Sequence, residues 1–332
     1  MSKPSVAVIG AGSWGTALVK MLTENDVEVN WWMRSSADRE YIARVGHNPR
    51  YLSSVSLNLS RISLIPDKRE AMRRSDWVLF AVPSAYTKNI LLDVTPADLH
   101  GKGIISAVKG MVPGEHLLLT AYIRKRFRFL EDDLMFIAGP CHAEEIANER
   151  QSYLTLAGGS IQRAEQFARL LRGRYVYVST SPDIEGTQYA AVFKNVVALA
   201  GGIAHSLSYG DNFMAVMVSN AMQEMRRLLD TLVPYPQRDL LASAYAGDLL
   251  VTAYSQFSRN RTFGGMIGRG YSVKSAQLEL DMVAEGYYGV RSLHKVCKGY
   301  EVDLPIVQAV HRMLYEHISP IIEMRLLSDM MR

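Results

Sequence analysis

The stretch that most constrains the fold runs from Ser5 to Leu22. Ser5-Val6-Ala7-Val8-Ile9 is an uninterrupted apolar run suited to a fully buried strand, Gly10-Ala11-Gly12-Ser13-Trp14-Gly15 follows at once, and Thr16 to Leu22 has helical character. Strand, Gly-x-Gly-x-x-Gly and helix in this order are the context that a dinucleotide fingerprint demands. Gly10 permits the tight turn, Gly12 lets a pyrophosphate approach the backbone, and Gly15 lets strand and helix pack closely. The helix start adds N–H groups and a positive dipole end for phosphates. Without a ligand the same pattern is only a tight turn. A second strand, Val27–Trp32, ends in Met33-Arg34-Ser35-Ser36, where an NAD-specific site commonly carries an acid. A guanidinium and two hydroxyls accommodate a 2′-phosphate, so NADP(H) is expected alongside NAD(H). Stacking of Arg34 on adenine would serve either cofactor.

Further strand-like runs are Ile62–Ile65, Asp76–Val82, Ile104–Val108, Leu134–Ala138, Tyr153–Ala157 and Tyr175–Val178, with helical segments between most of them. They predict a sheet of about eight strands. Pro83 stops one strand, and Ser84 is placed to cap the next helix. The polar run Ser179-Thr180-Ser181-Pro182-Asp183 reads as a boundary turn, beyond which helical periodicity takes over, with helices expected over 212–232 and 237–254. At 332 residues the chain exceeds one comfortable core. The expectation is an α/β fold with an N-terminal Rossmann-type doubly wound sheet over 1–182 and a C-terminal all-α domain over 183–332.

Charge excludes some functions. Lys and Arg exceed Asp and Glu by only four, and the basic residues are scattered except for Arg124-Lys125-Arg126-Phe127-Arg128, which reads as a solvated helix end. This gives no case for nucleic acid. Cys141 and Cys297 cannot form a disulfide framework, which points to a reducing compartment. Met1-Ser2-Lys3-Pro4 leads straight into a strand and leaves no room for a signal peptide, so a cytoplasmic location is expected. No stretch is long and apolar enough for a membrane span. His294 and Cys297 lack further ligands, and no metal is expected.

Lys194 is the one charge in an otherwise apolar helical stretch, Thr187 to Ala204. A buried ammonium must find a carboxylate or carbonyl, shed its proton, or face a wet cleft, and each outcome suits acid–base chemistry. The alternative is a lysine that snorkels to solvent. Asp248 is a candidate partner or a helix N-cap. Ser258-Arg259-Asn260-Arg261-Thr262 concentrates guanidiniums, hydroxyls and an amide as a phosphate requires, although a solvated basic loop looks the same. Lys109 follows a strand directly, where it could meet cofactor or substrate oxygen or lie exposed in a loop.

Taken in order, Gly10–Ala17, Asn48-Pro49-Arg50-Tyr51-Leu52, Ala81-Val82-Pro83-Ser84, Lys109-Gly110, Gly139-Pro140, Phe193-Lys194-Asn195-Val196, Gly210-Asp211-Asn212, Gly247-Asp248-Leu249 and Ser258-Arg259-Asn260-Arg261 resemble the motifs of NAD(P)-dependent sn-glycerol-3-phosphate dehydrogenases. The resemblance spans nearly the whole chain. It implies reversible reduction of dihydroxyacetone phosphate to sn-glycerol 3-phosphate, feeding phospholipid synthesis, with a small-molecule substrate and a homodimer as the candidate assembly. It implies that Lys194 is the proton donor and acceptor, with Asp248 beside it. Lys109, Asp248, Ser258, Arg259 and Asn260 would contact substrate, with Gly139 and Cys141 adjacent; Ser13, Trp14, Arg34, Lys109, Ala143, Arg259, Val283 and Glu285 would lie at the cofactor. Two stretches depart from the family pattern: Cys141-His142-Ala143 stands where Ser-Phe-Ala is usual, and Ser219-Asn220-Ala221 where Thr-Arg-Gly is usual. Other readings are a dehydrogenase of another 2-oxo or hydroxyacid substrate and a protein that senses NADP(H) without turnover.

Overall fold

The apolar runs become one mixed sheet. In the computed structural model, which describes residues 3–280 and 283–332, the strands are β1 (Ser5–Ile9), β2 (Glu28–Trp32), β3 (Ile62–Ile65), β4 (Trp77–Phe80), β5 (Gly103–Ser106), β6 (Met111–Val112), β7 (Leu117–Leu118), β8 (Leu134–Ala138), β9 (Ser152–Gly158) and β10 (Val176–Ser181). Eight of them form a sheet of order β10-β9-β8-β5-β4-β1-β2-β3. Pairing is parallel except between β8 and β9. The chain leaves β1 toward β2 and β3, then returns to place β4 on the other side. That reversal at β1/β4 is the switch point where open α/β sheets bind ligands outside their strand ends. Val6 and Val8 of β1 and Leu18, Met21 and Leu22 of the helix Ser13–Glu24 share one core with Trp31. Strand and helix thereby bury one continuous apolar surface.

Three expectations change. The polar run Ser179–Ser181 is the end of β10, not a turn: every residue from Val176 to Ser181 has a partner in β9. At a sheet edge, backbone pairing offsets the lack of apolar side chains. Ser84 does not cap its helix; the helix Ser84–Leu91 begins at Ser84, and Pro83 is the N-cap without a side-chain bond. Residues 237–254 are not one helix. Only Asp248–Tyr254 is α-helical, after a π-type turn at Ser243–Gly247. Residues 237–242 are exposed or half-buried, so no packed face fixes a helix there.

Backbone contacts divide the chain into two compact units, Met1–Val108 with Leu119–Ile184, and Lys109–Leu118 with Glu185–Arg332. Among the described residues, the regular elements of the second unit are helices apart from the two-stranded β6/β7 hairpin. Its central element is Ile184–Ser206, almost wholly buried over Ala190–Ala204. A Cβ on Gly202 would overlap the Arg261 carbonyl, and one on Gly264 would overlap that of Leu199. The helix Arg259–Gly268 therefore crosses Ile184–Ser206 backbone against backbone. Among the described residues, no helix is long and apolar enough to cross a membrane. Arg124, Lys125 and Arg126 are exposed at the end of the helix Leu119–Phe127.

Candidate active site

The glycine-rich loop sits at the end of β1 in the first unit. Gly10 has φ +121°, and its N–H donates to the Trp32 carbonyl at 3.0 Å. A Cβ there would strike the Ala81 carbonyl, and one on Gly15 would strike that of Gly10. Protein packing thus explains both glycines. A Cβ on Gly12 would meet nothing within 4 Å. Protein packing does not require glycine at that position, but close approach of a pyrophosphate does. The helix Ser13–Glu24 starts there with no side-chain cap and no acidic residue in its first turn, and Ser13 and Trp14 lie in that turn. These residues fit a dinucleotide. Arg34 is exposed at the end of β2, its guanidinium 5.9 Å from the Tyr86 ring centroid, and Ser35 accepts from Asp38 N–H to cap Ser36–Val45. Arg34 is therefore available to an adenine face or a 2′-phosphate, while the Ser35 hydroxyl already has an acceptor role.

In the second unit Lys194 is 4% exposed and forms an ion pair with Asp248 Oδ1, itself 1% exposed. Snorkelling is excluded by this burial. Asp248 is the first residue of its helix and Gly247 the N-cap, so the carboxylate faces the lysine rather than capping. Its Oδ2 has no hydrogen-bond partner among the described residues. Burial pushes the Lys194 ammonium down, Asp248 opposes that, and the neighbouring Lys109 charge adds to it; the net is a pKa lowered to about 7. Such a group exchanges a proton readily near neutrality.

An amide relay frames this pair. Asn195 Nδ2 donates to the Lys109 carbonyl at 2.9 Å, Asn260 Nδ2 donates to Asn195 Oδ1 at 2.9 Å, and Gly286 N–H donates to Asn260 Oδ1 at 2.9 Å. The relay links the segments of Lys109, Asn195, Asn260 and Gly286, and the Lys194–Asp248 ion pair adds a fifth. Ser258 is buried and caps the helix Arg259–Gly268 by accepting from Arg261 N–H, while Arg259 is exposed beside it. Asn195 had no role assigned from sequence. The available signal was that it is the second polar interruption of the apolar helix.

The remaining candidates lie some in each unit. Gly139, at φ +110°, follows β8 in the first unit, where a Cβ would lie 2.7 Å from the Tyr153 carbonyl. Cys141 is buried, and Ala143 opens the helix Ala143–Ala147. Val283 and Glu285 are half-buried at the start of Glu285–Cys297 in the second unit. Asn220 donates to the carbonyls of Val216 and Arg332, so its side chain serves the C-terminus. His294 stacks on His311 with ring centroids 3.8 Å apart, and no metal-competent group of three His, Cys, Asp or Glu side chains occurs among the described residues.

Comparison with known proteins agrees along the whole length. Two family models match, described as NAD-dependent glycerol-3-phosphate dehydrogenase N-terminus over residues 5–164 and C-terminus over residues 183–324. A glycerol-3-phosphate dehydrogenase [NAD(P)+] of Streptococcus agalactiae serotype V is 31% identical over 317 residues, covering 95% of this chain and 93% of the relative. That of Bacillus subtilis is 32% identical, covering 93% and 90%. The crystal structure of glycerol-3-phosphate dehydrogenase from Coxiella burnetii aligns with TM-score 0.91 at 28% identity, covering 98% of each chain. The chain belongs to the NAD-dependent glycerol-3-phosphate dehydrogenase family.

Proposed function

We propose that the protein catalyses the NAD(P)H-dependent reduction of dihydroxyacetone phosphate to sn-glycerol 3-phosphate, reversibly. The observation that carries the reading is the buried Lys194–Asp248 pair with Lys109 at its side. A reduced nicotinamide, when bound, would supply the hydride that C2 of the substrate takes up. As charge builds on the C2 oxygen, Lys194 donates a proton from Nζ to that oxygen, and Asp248 holds the ammonium in place. One hydride and one proton enter, and the alcohol and the oxidised cofactor result. Lys109 adds positive charge near the same oxygen. Ser258, Arg259 and Asn260 hold the phosphate, a remote group whose binding orients the reacting carbon. Gly139 and Cys141 contact the substrate, and Gly10, Gly12, Ser13, Trp14, Gly15, Arg34, Lys109, Ala143, Arg259, Val283 and Glu285 contact the cofactor.

The domain reading, 1–182 for cofactor and 183–332 for substrate, belongs to this proposal. So do a cytoplasmic location, a supply of glycerol phosphate for phospholipid synthesis, and a homodimer. Mixing the protein with NADPH or NADH and dihydroxyacetone phosphate should give loss of absorbance at the reduced-nicotinamide band. Lys194→Ala should lower that rate by about 10²–10⁴-fold while leaving cofactor affinity within about twofold. No oxidation of either cofactor by the unaltered protein would end the proposal.

A further inference from the structure

Asn48 lies outside the glycine-rich loop, yet it is 2% exposed and its side chain uses its full hydrogen-bonding capacity, half of it on that loop and its helix. Nδ2 donates to the Ala11 carbonyl at 3.0 Å and to Thr16 Oγ1 at 2.8 Å. Oδ1 accepts from the N–H groups of Arg50 and Tyr51, at 3.0 and 3.1 Å. Two donors and two acceptor positions are all engaged. Ala11 precedes Gly12, the glycine that protein packing does not explain, and Thr16 N–H closes the first helical turn on the Gly12 carbonyl at 2.9 Å.

The consequence follows from peptide geometry. The Ala11–Gly12 peptide is trans, so the Ala11 carbonyl and the Gly12 N–H point in opposite directions in one plane. Fixing the carbonyl on Asn48 fixes the direction of that N–H. A glycine at position 12 leaves this plane free to rotate unless something holds it. From this arrangement we infer that Asn48 is a positioning residue that locks the Ala11–Gly12 peptide so that its N–H faces the cofactor pyrophosphate. The inference rests on the dinucleotide reading of the loop. The same side chain folds the 48–51 turn, and Arg50 reaches Asp38 at 3.1 Å on the helix that follows Arg34. Asn48 thus joins the phosphate loop to the segment beside the end of β2.

Because the lock acts on the pyrophosphate, it should be selective among cofactor fragments. In Asn48→Asp the Oδ1 acceptor remains, but the donor to Ala11 is replaced by a second oxygen that repels the carbonyl. Calorimetric titration of the full-length protein with ADP-ribose, which carries the pyrophosphate, and with adenosine 2′-monophosphate, which lacks it, reads the effect. ADP-ribose should bind at least about tenfold more weakly to Asn48→Asp and Asn48→Ala, with adenosine 2′-monophosphate within about twofold of the unaltered protein. Equal weakening of both ligands would indicate general loosening of the domain and overturn the inference; so would unchanged ADP-ribose affinity. If Asn48→Ala fails to fold, Asn48→Asp decides. If the unaltered protein binds no ADP-ribose, it is the dinucleotide reading of the loop that fails.

Discussion

At the scale of single residues, the acid–base assignment makes a signed claim about pH. Lys194 must be an ammonium to donate a proton during reduction, and burial holds its pKa near 7, below the ordinary lysine value. The rate of reduction at saturating substrate should therefore fall as pH rises through that value, and the rate of alcohol oxidation should rise. Asp248 is the group opposing burial. Asp248→Asn should move the falling limb of the reduction profile to lower pH by about one unit or more, since each unit corresponds to about 1.4 kcal/mol of lost charge stabilisation. A limb at unchanged pH in that variant would remove Asp248 from the role. The chemistry of these two residues was legible because a charge inside an apolar helix is conspicuous. Asn48 and Asn195 were not assigned roles: a neutral amide contradicts no pattern, and its partners lie 37 and 86 positions away.

At the scale of elements, apolar runs reveal the central strands β1, β4, β5 and β8, because a strand buried on both faces is written in Val, Ile, Leu and Phe, and shorter or alternating runs reveal the others. The β6/β7 hairpin escaped, since two-residue strands carry no period. So did the reversed direction of β9 and β10, which depends on how the chain returns and not on what it contains. One helix start is capped from elsewhere in the chain. Pro305 opens the helix Pro305–Tyr315, and the next two N–H groups, of Ile306 and Val307, donate at 2.9 and 3.0 Å to the Glu224 carboxyl oxygens on Asp211–Leu232. Burial raises Glu224 from 4.5 to about 8, against the pull of those two N–H groups and Arg227 and with a push from Asp303. The folded chain therefore holds a proton that the unfolded chain releases above its ordinary pKa. Stability from this group is fully present below about 4.5 and is lost as pH rises to about 8, at about 1.4 kcal/mol per pH unit. Melting temperatures measured from pH 5 to 9 should decline more steeply for the unaltered protein than for Glu224→Gln. Parallel curves would contradict the account.

At the scale of the whole molecule, the proposed homodimer has a surface to argue from. In the C-terminal helix Pro320–Met330, Ile322, Leu326 and Met330 recur one turn apart, and Ile318 precedes them. They are 56%, 50%, 49% and 38% exposed, while Glu323, Met324 and Leu327 face inward. A stripe at this spacing packs well against a copy of itself, and a two-fold interface joins identical patches. Ile322→Lys should shift the sedimentation coefficient from dimer toward monomer at micromolar concentration; a value unchanged by that substitution would place any dimer contact elsewhere.

The decapeptide Lys109–Leu118 has a bearing on how such a chain is made. It is encoded within the first unit and completed by the second, where Met111, Val112 and Leu118 are buried. During synthesis it leaves the ribosome well before the helices after Glu185 exist to cover it. Cutting the chain near residue 184 would separate the hairpin from the helices with which it forms one compact unit.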